Sequence, residues 1–305
     1  MRSRLRSVRS SSATDAKSPS AAFPKSYVAL KPTFSDNPTL KEGSMVGRGE
    51  YVVLSWDGVF VAALMGAAAV VYTLIERLRL GREAGVGMVR AFVQLLAAGY
   101  AIGWLMRRQI AYANLLAVSV MLLVAILVVL GRLREQRFYG KTRAAVLGLV
   151  LGALPVLLIA IVGVVRPKPL FDARYLIPIA SMVISAAMNN MTQVLNRLHA
   201  EFVSNRGEVE ARLLLGATAA QAAHPHIRAS VRAGMLRVIN VLHSVGLVHI
   251  PGVMTGQLTG GMGAVHAAQY QIVIMYLLMS ANCFSAIIAA KSAAAAILSN
   301  ERVNL

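Results

Sequence analysis

Apolar and polar residues fall in blocks along most of this chain. From Tyr51 onward, apolar runs of about 20 residues follow one another with short polar gaps. A helix of that length crosses the roughly 30 Å of hydrocarbon in a bilayer, and only helices or closed barrels satisfy their backbone groups there. Seven runs are expected to span, at 52–75, 88–106, 110–131, 144–165, 175–196, 234–256 and 269–290. The fold class that follows is all-α, a polytopic membrane protein with about seven transmembrane helices.

The gaps alternate in basic content, which assigns orientation. Gaps one, three and five carry Arg77, Arg79, Arg82 and Arg90, then Arg132, Arg134, Arg137, Lys141 and Arg143, then Arg197, Arg206, Arg212, Arg228 and Arg232. The sixth gap, 257–268, has no charge. Odd gaps are therefore cytoplasmic, with the N-terminus out and the C-terminus in. The first 49 residues argue the other way, since nine of their side chains are Lys or Arg against three acids and such a tail resists translocation.

That segment begins MRSRLRSVRSSS and has no apolar stretch able to offset the entropy of ordering. Its composition fits a disordered basic tail or an organelle transit peptide, and the lack of an apolar core excludes a secretory signal. The division expected is 1–49 as tail, 50–298 as transmembrane domain with a cytoplasmic segment at 198–232, and 299–305 as a short C-terminal tail.

Composition agrees with a bilayer as solvent, at 57% hydrophobic and 14% charged. The net charge of +18 follows topology rather than a basic face with interleaved aromatics, so no nucleic-acid partner is expected. One cysteine, Cys283, leaves no disulfide framework and no thiolate metal site. Receptor and retinal-protein classes fail as well. A single cysteine cannot form the extracellular pair of such receptors, and Lys291 has no mid-membrane carboxylate as counter-ion. The six histidines, His199, His224, His226, His243, His249 and His266, lack the spacing of a ligand set, so no metal site is assigned. His224 and His226, which bracket Pro225, are expected in a cytoplasmic loop.

Polar side chains inside the runs carry more information. Ser181, Ser185, Asn189 and Gln193 recur every four residues in the fifth run and form a stripe on one helix face. Such a stripe either lines an aqueous path or bonds a neighbouring helix. In the sixth run Arg237, Asn240 and Ser244 follow the same spacing. Glycines also recur at intervals of four, at Gly99 and Gly103 and at Gly148 and Gly152, a spacing that lets helices approach closely. The series Gly252, Gly256 and Gly260 beside Pro251 reads instead as a break.

The fifth gap, RLHAEFVSNRGEVEARLLLGATAAQAAHPHIRASVRAGM, is helical in pattern and too polar to span. Gly216 is placed to terminate one helix and Thr218 to start the next. Glu210, Ala211 and Gly216 match the spacing of the loop by which ABC permeases engage their ATPase. The runs ARYLIPIASMVISAAMN (173–189), LGAT (215–218), GLVHIPGVMTGQLTGG (246–261) and YQIVIMY (270–276) make the chain resemble, over roughly 51–298, the permease family containing the bacterial iron-export permease and the plant aluminium-tolerance permease.

That resemblance implies a membrane-spanning permease subunit of an ABC-type transporter and not an enzyme. The family pairs with a separate ATP-binding subunit, in keeping with the lack of any G-x-x-x-x-G-K-[ST] motif here. No cofactor is then bound by this chain, and ATP acts through the cytoplasmic ABC ATPase partner. A homodimer within the lipid bilayer is expected. Glu208, Glu210, Arg212 and Gly216 are the coupling candidates. The translocation-path candidates are Ser185, Asn189, Gln193, Asn240, Met254, Thr255 and Gln257. Implied cargoes are a metal ion, chiefly iron in export, or a nucleotide sugar such as UDP-glucose linked to aluminium tolerance. An ATP-independent channel or secondary transporter is the alternative.

Overall fold

The computed structural model describes residues 55–78, 81–108, 110–134, 136 and 140–301. The N-terminal segment 1–49 and the last residues of the chain lie outside them. The described residues form helices and connecting segments without a strand: α1 Trp56–Ile75, α2 Gly81–Arg108, α3 Ala111–Arg132, α4 Lys141–Val165, α5 Ala173–Ser204, α6 Arg206–Leu214, α7 Ala219–Ser244, α8 Gly252–Thr259 and α9 Ala264–Glu301.

The seven expected spans correspond to the seven described helices of 20 residues or more, α1 to α5, α7 and α9. Five of these, α1 to α4 and α9, are long and apolar enough to cross a membrane. α5 and α7 have the length without the composition, because the first carries the polar stripe and the second carries Arg228, Arg232 and Arg237.

The sixth expected span, 234–256, is corrected. α7 starts much earlier, at Ala219, runs through Pro225 and stops at Ser244. A tight turn follows, in which the Gly246 amide donates to the His249 carbonyl at 2.9 Å. Gly246 has φ +83°, a left-handed conformation that its missing side chain permits. Pro251 then opens the separate helix α8. A proline ring and a left-handed glycine within six residues end one helix and allow another to start in a new direction. His224 and His226 consequently lie inside α7, and His226 is buried.

Local chemistry sets the other ends. The Thr218 side chain caps α7 by accepting from the Gln221 amide, and the Gln221 side chain accepts from the Thr218 amide in return. Gly216, at φ +89°, closes the turn after α6. Asp172 starts α5, its Oδ1 accepting from the Arg174 amide at 2.9 Å. α4 is not regular: two stretches, Gly148–Ala153 and Ile159–Val165, widen to π-helical bonding on either side of Pro155. A proline inside a helix has no N–H to give and crowds the preceding turn, and a widened turn relieves that crowding.

α5 and α9 form the centre of the bundle, with α3, α4 and α7 around them. Close approach of α4 to α9 depends on small residues. A Cβ on Gly152 would sit 2.5 Å from the Ser285 Cα. Gly99 and Gly103, by contrast, have nothing within 4 Å of a Cβ. α1 and α2 pair with each other at the periphery, and α1 buries no residue at all. Their exposed Trp56, Phe60, Met65, Val89 and Leu95 suit a lipid boundary.

At 1.5 Å per residue α5 is about 48 Å long and α9 about 57 Å, longer than the hydrocarbon. Both therefore project beyond it, and α5 leads straight into α6.

Candidate translocation path and coupling surface

The polar residues of α5 divide between two faces. Asn190 and Thr192 are buried inside the bundle. Asn190 Nδ2 donates to the Asn282 carbonyl of α9 at 3.2 Å and lies 3.6 Å from Met235 Sδ of α7, tying three helices together. Gly234 makes room for this contact, since a Cβ there would collide with Val194 and lie 2.8 Å from Asn190 Oδ1. Ser181, Ser185, Asn189 and Gln193 point away from the core instead, with Ser185 and Gln193 exposed. The serine hydroxyls bond back to their own helix, Ser181 to the Pro178 carbonyl at 2.7 Å and Ser185 to that of Met182 at 3.2 Å. Asn189 accepts from Arg132 Nη1 at 2.6 Å.

A charged guanidinium and a row of amides on the outer face of a membrane helix cannot be left to lipid without a large desolvation cost. That face requires water or another polypeptide.

The remaining path candidates sit elsewhere. Asn240 is exposed on α7, while Met254, Thr255 and Gln257 lie on α8. Thr255 Oγ1 bonds its own helix, at the Pro251 carbonyl. Among the described residues no hydrogen bond joins Asn189, Gln193 or Asn240 to Thr255 or Gln257.

The coupling candidates do come together, on α6 and its turn. Arg206 Nε donates to Glu210 Oε1 and Arg212 Nη2 to Glu208 Oε1, both at 2.7 Å and both spanning one helical turn. These pairs neutralise the charge of α6 within the helix. Val209 points inward and is buried, whereas Leu214 and Leu215 are each 88% exposed. The short helix, held by its buried valine, thus offers two leucines and the Gly216 turn outward at the end of the bundle.

At the opposite end, where α4 finishes and α5 and α9 begin, a cavity of about 730 Å³ opens. Arg166, Lys168 and Arg174 line it with His266, Tyr270 and a single carboxylate, Asp172. Arg166 is turned into a left-handed conformation, φ +48°, and its Nε donates to the Gly163 carbonyl at 2.9 Å. Three cations against one acid make this an anion-attracting mouth.

The sequence model of the Uncharacterised protein family (UPF0014) matches residues 56–298, the whole helical bundle described above. The chain belongs to the UPF0014 family. Similar members of known sequence include the UPF0014 membrane protein STAR2 of Oryza sativa subsp. japonica, 35% identical over 74% of this chain and 78% of that protein. The "Probable iron export permease protein FetB" of Escherichia coli is 28% identical over 76% of this chain and 88% of its own length. Protein ALUMINUM SENSITIVE 3 of Arabidopsis thaliana is 29% identical over 77% and 90%. No solved structure matches the chain. The resemblance drawn from the sequence motifs is therefore correct, and this UPF0014 protein is an integral, multi-pass membrane protein.

Three features of the UPF0014 bundle escaped sequence reasoning. In the sequence Arg132 is a topology marker only, and the packing of α3 on α5 sets it against Asn189. Arg166, Lys168 and Arg174, near one another in the chain after α4, converge with His266 from a distant segment. Glu201, on the last turn of α5, is held by Arg197 at 2.6 Å and Asn205 at 3.2 Å. Its Oε2 lies 3.8 Å from Nδ1 of the buried His226 on α7, whose ring packs at 5.5 Å on that of Phe202. Long-range proximity of this kind leaves no local periodicity to find.

Proposed function

We propose that this protein is the membrane-spanning permease subunit of an ABC-type transporter. It works as a homodimer with two cytoplasmic ATPase subunits, and ATP acts only through those partners. The observation that carries this reading is the outward pair Leu214 and Leu215 beside the Gly216 turn, presented by a short helix whose charges are already paired. Two fully exposed leucines with a left-handed glycine next to them suit insertion into a cleft of another protein. Glu208, Glu210 and Arg212 keep α6 helical so that the knob is rigid.

The homodimer follows from the outer stripe of α5. Two copies facing each other across Ser185, Asn189, Gln193 and Arg132 would enclose a polar path between them, and rocking of one copy against the other would alternate access. Asn240, Met254, Thr255 and Gln257 would contribute farther along that path. FetB is named for iron export and ALUMINUM SENSITIVE 3 for aluminium, so the cargo is a metal ion or a nucleotide sugar such as UDP-glucose, linked to aluminium tolerance. The three-cation mouth favours the phosphate-bearing cargo.

The test is affinity purification of the tagged protein in mild detergent, with mass spectrometry of what accompanies it and an ATPase assay on the eluate. Recovery of a nucleotide-binding subunit, and its loss with Glu210→Lys, supports the reading. A chain that purifies alone and without ATPase activity points to a channel or secondary transporter instead.

A further inference from the structure

At the coupling end of the bundle, the N-terminal half of α7 runs beside the C-terminal half of α9. On α7 the facing positions are Ala220, Ala223, Ile227 and Val231, and on α9 they are Ile287, Ala294 and Ala295. Alanine methyls are too small to fill the space between two helices at this spacing. A groove of about 700 Å³ is left, with a floor almost wholly hydrocarbon.

Its charged lining is of one sign. Arg228 on α7 and Lys291 on α9 stand along it with the imidazole of His224, one helical turn from Arg228, and no carboxylate does. All three side chains are exposed. Three other arginines at this end have carboxylate partners, Arg197 with Glu201, Arg206 with Glu210 and Arg212 with Glu208. Among the described residues Arg228 and Lys291 make no ion pair and no side-chain hydrogen bond.

We propose that this groove binds one anionic phospholipid, its phosphate between Arg228, Lys291 and His224 and an acyl chain along the alanine floor. The charge is complementary to the headgroup, and basic pockets between membrane helices attract such lipids. A free phosphate ion would gain nothing from the hydrocarbon floor, and a neutral lipid nothing from the cations. The groove begins one residue after the Thr218 cap, directly behind the turn that carries Leu214 and Leu215. A bound lipid would brace α7 against α9 where α7 meets the coupling turn. The proposal depends on the chain being a membrane protein and not on the ATPase partner.

The full-length protein, purified in detergent, would be examined by native mass spectrometry with added phosphatidylglycerol, phosphatidylcholine or inorganic phosphate. Phosphatidylglycerol is expected to remain bound about tenfold more strongly than phosphatidylcholine. Arg228→Gln with Lys291→Gln should abolish that preference, and Ala295→Leu should weaken retention of the lipid by filling the floor without touching a charge. A melting curve close to that of the parent confirms that each variant is folded. Equal retention of the two lipids, an undiminished preference in the double variant, or displacement of the lipid by inorganic phosphate alone would overturn the proposal. So would rapid disulfide dimer formation by Ala295→Cys in a Cys283→Ala background, since a second copy would then cover the groove.

Discussion

Arg132 at the last turn of α3 donates a 2.6 Å hydrogen bond to Asn189 in the middle of α5, on a face that points out of the bundle. A charge placed there in a membrane protein calls for water or protein on its far side. In a Cys283→Ala background, Ser185→Cys and Gln193→Cys are expected to react with a water-soluble maleimide in the intact membrane, while the buried Thr192→Cys is not. Protection of all three positions would leave the stripe as a dry interface between helices or copies and remove it from the path.

The two glycine pairs should behave oppositely. A methyl on Gly152 meets the Ser285 backbone of α9, which cannot rotate aside, so Gly152→Ala forces α4 and α9 apart at a cost of about 1–3 kcal/mol or more. Gly103→Ala meets nothing within 4 Å and is expected to leave the chain's Tm unchanged or slightly raised. Thermal unfolding of the two variants in the same detergent decides this, and equal Tm losses would contradict the packing described.

For the coupling knob, Leu214→Asp and Leu215→Asp remove exposed side chains and should change the stability of the isolated chain by less than about 0.5 kcal/mol. Capture of the ATPase subunit should nevertheless fall at least about tenfold, as for a central interface residue. Glu210→Lys breaks only a surface pair, worth about 1 kcal/mol at most, so a loss of capture in that variant reports on docking rather than unfolding. Undiminished capture in all three variants would place the docking surface elsewhere.

His226 tests the seam between α5 and α7. Its buried ring lies against Phe202 and beside Glu201, and His226→Ala leaves a gap there that should cost about 1–3 kcal/mol. His226→Phe restores the ring without the nitrogens. Recovery of most of the lost Tm in the Phe variant assigns the role to packing, whereas a Tm as low as that of the Ala variant assigns it to the contact with Glu201.

What was legible in the sequence is whatever depends on neighbours along the chain. Apolar runs of membrane length, the glycine at 216 and the cap at Thr218 express local periodicity, backbone conformation and a four-residue hydrogen-bonding pattern, so they appear where the sequence placed them. The sixth run misled because Gly234 to Gly256 is mostly apolar, with Arg237 its one Lys, Arg, Asp or Glu, and hydropathy does not register that Gly246 and Pro251 interrupt the helix. Pro225 misled in the other direction, since a single proline near a helix start is accommodated once the flanking turns are held by tertiary contacts.

The sequence by itself determined the solvent of this protein and the family to which it belongs, because burial in lipid is a property of each segment's own composition. Only the tertiary structure decided which face of α5 turns inward. Asn189 and Asn190 are adjacent and chemically identical, and one meets Arg132 at the surface while the other is buried against Asn282. The same holds for the two cationic pockets, whose members come from segments far apart in the chain. Helix rotation is set by how the small residues of α4 and α7 let their neighbours approach, and that complementarity exists only once the helices are packed.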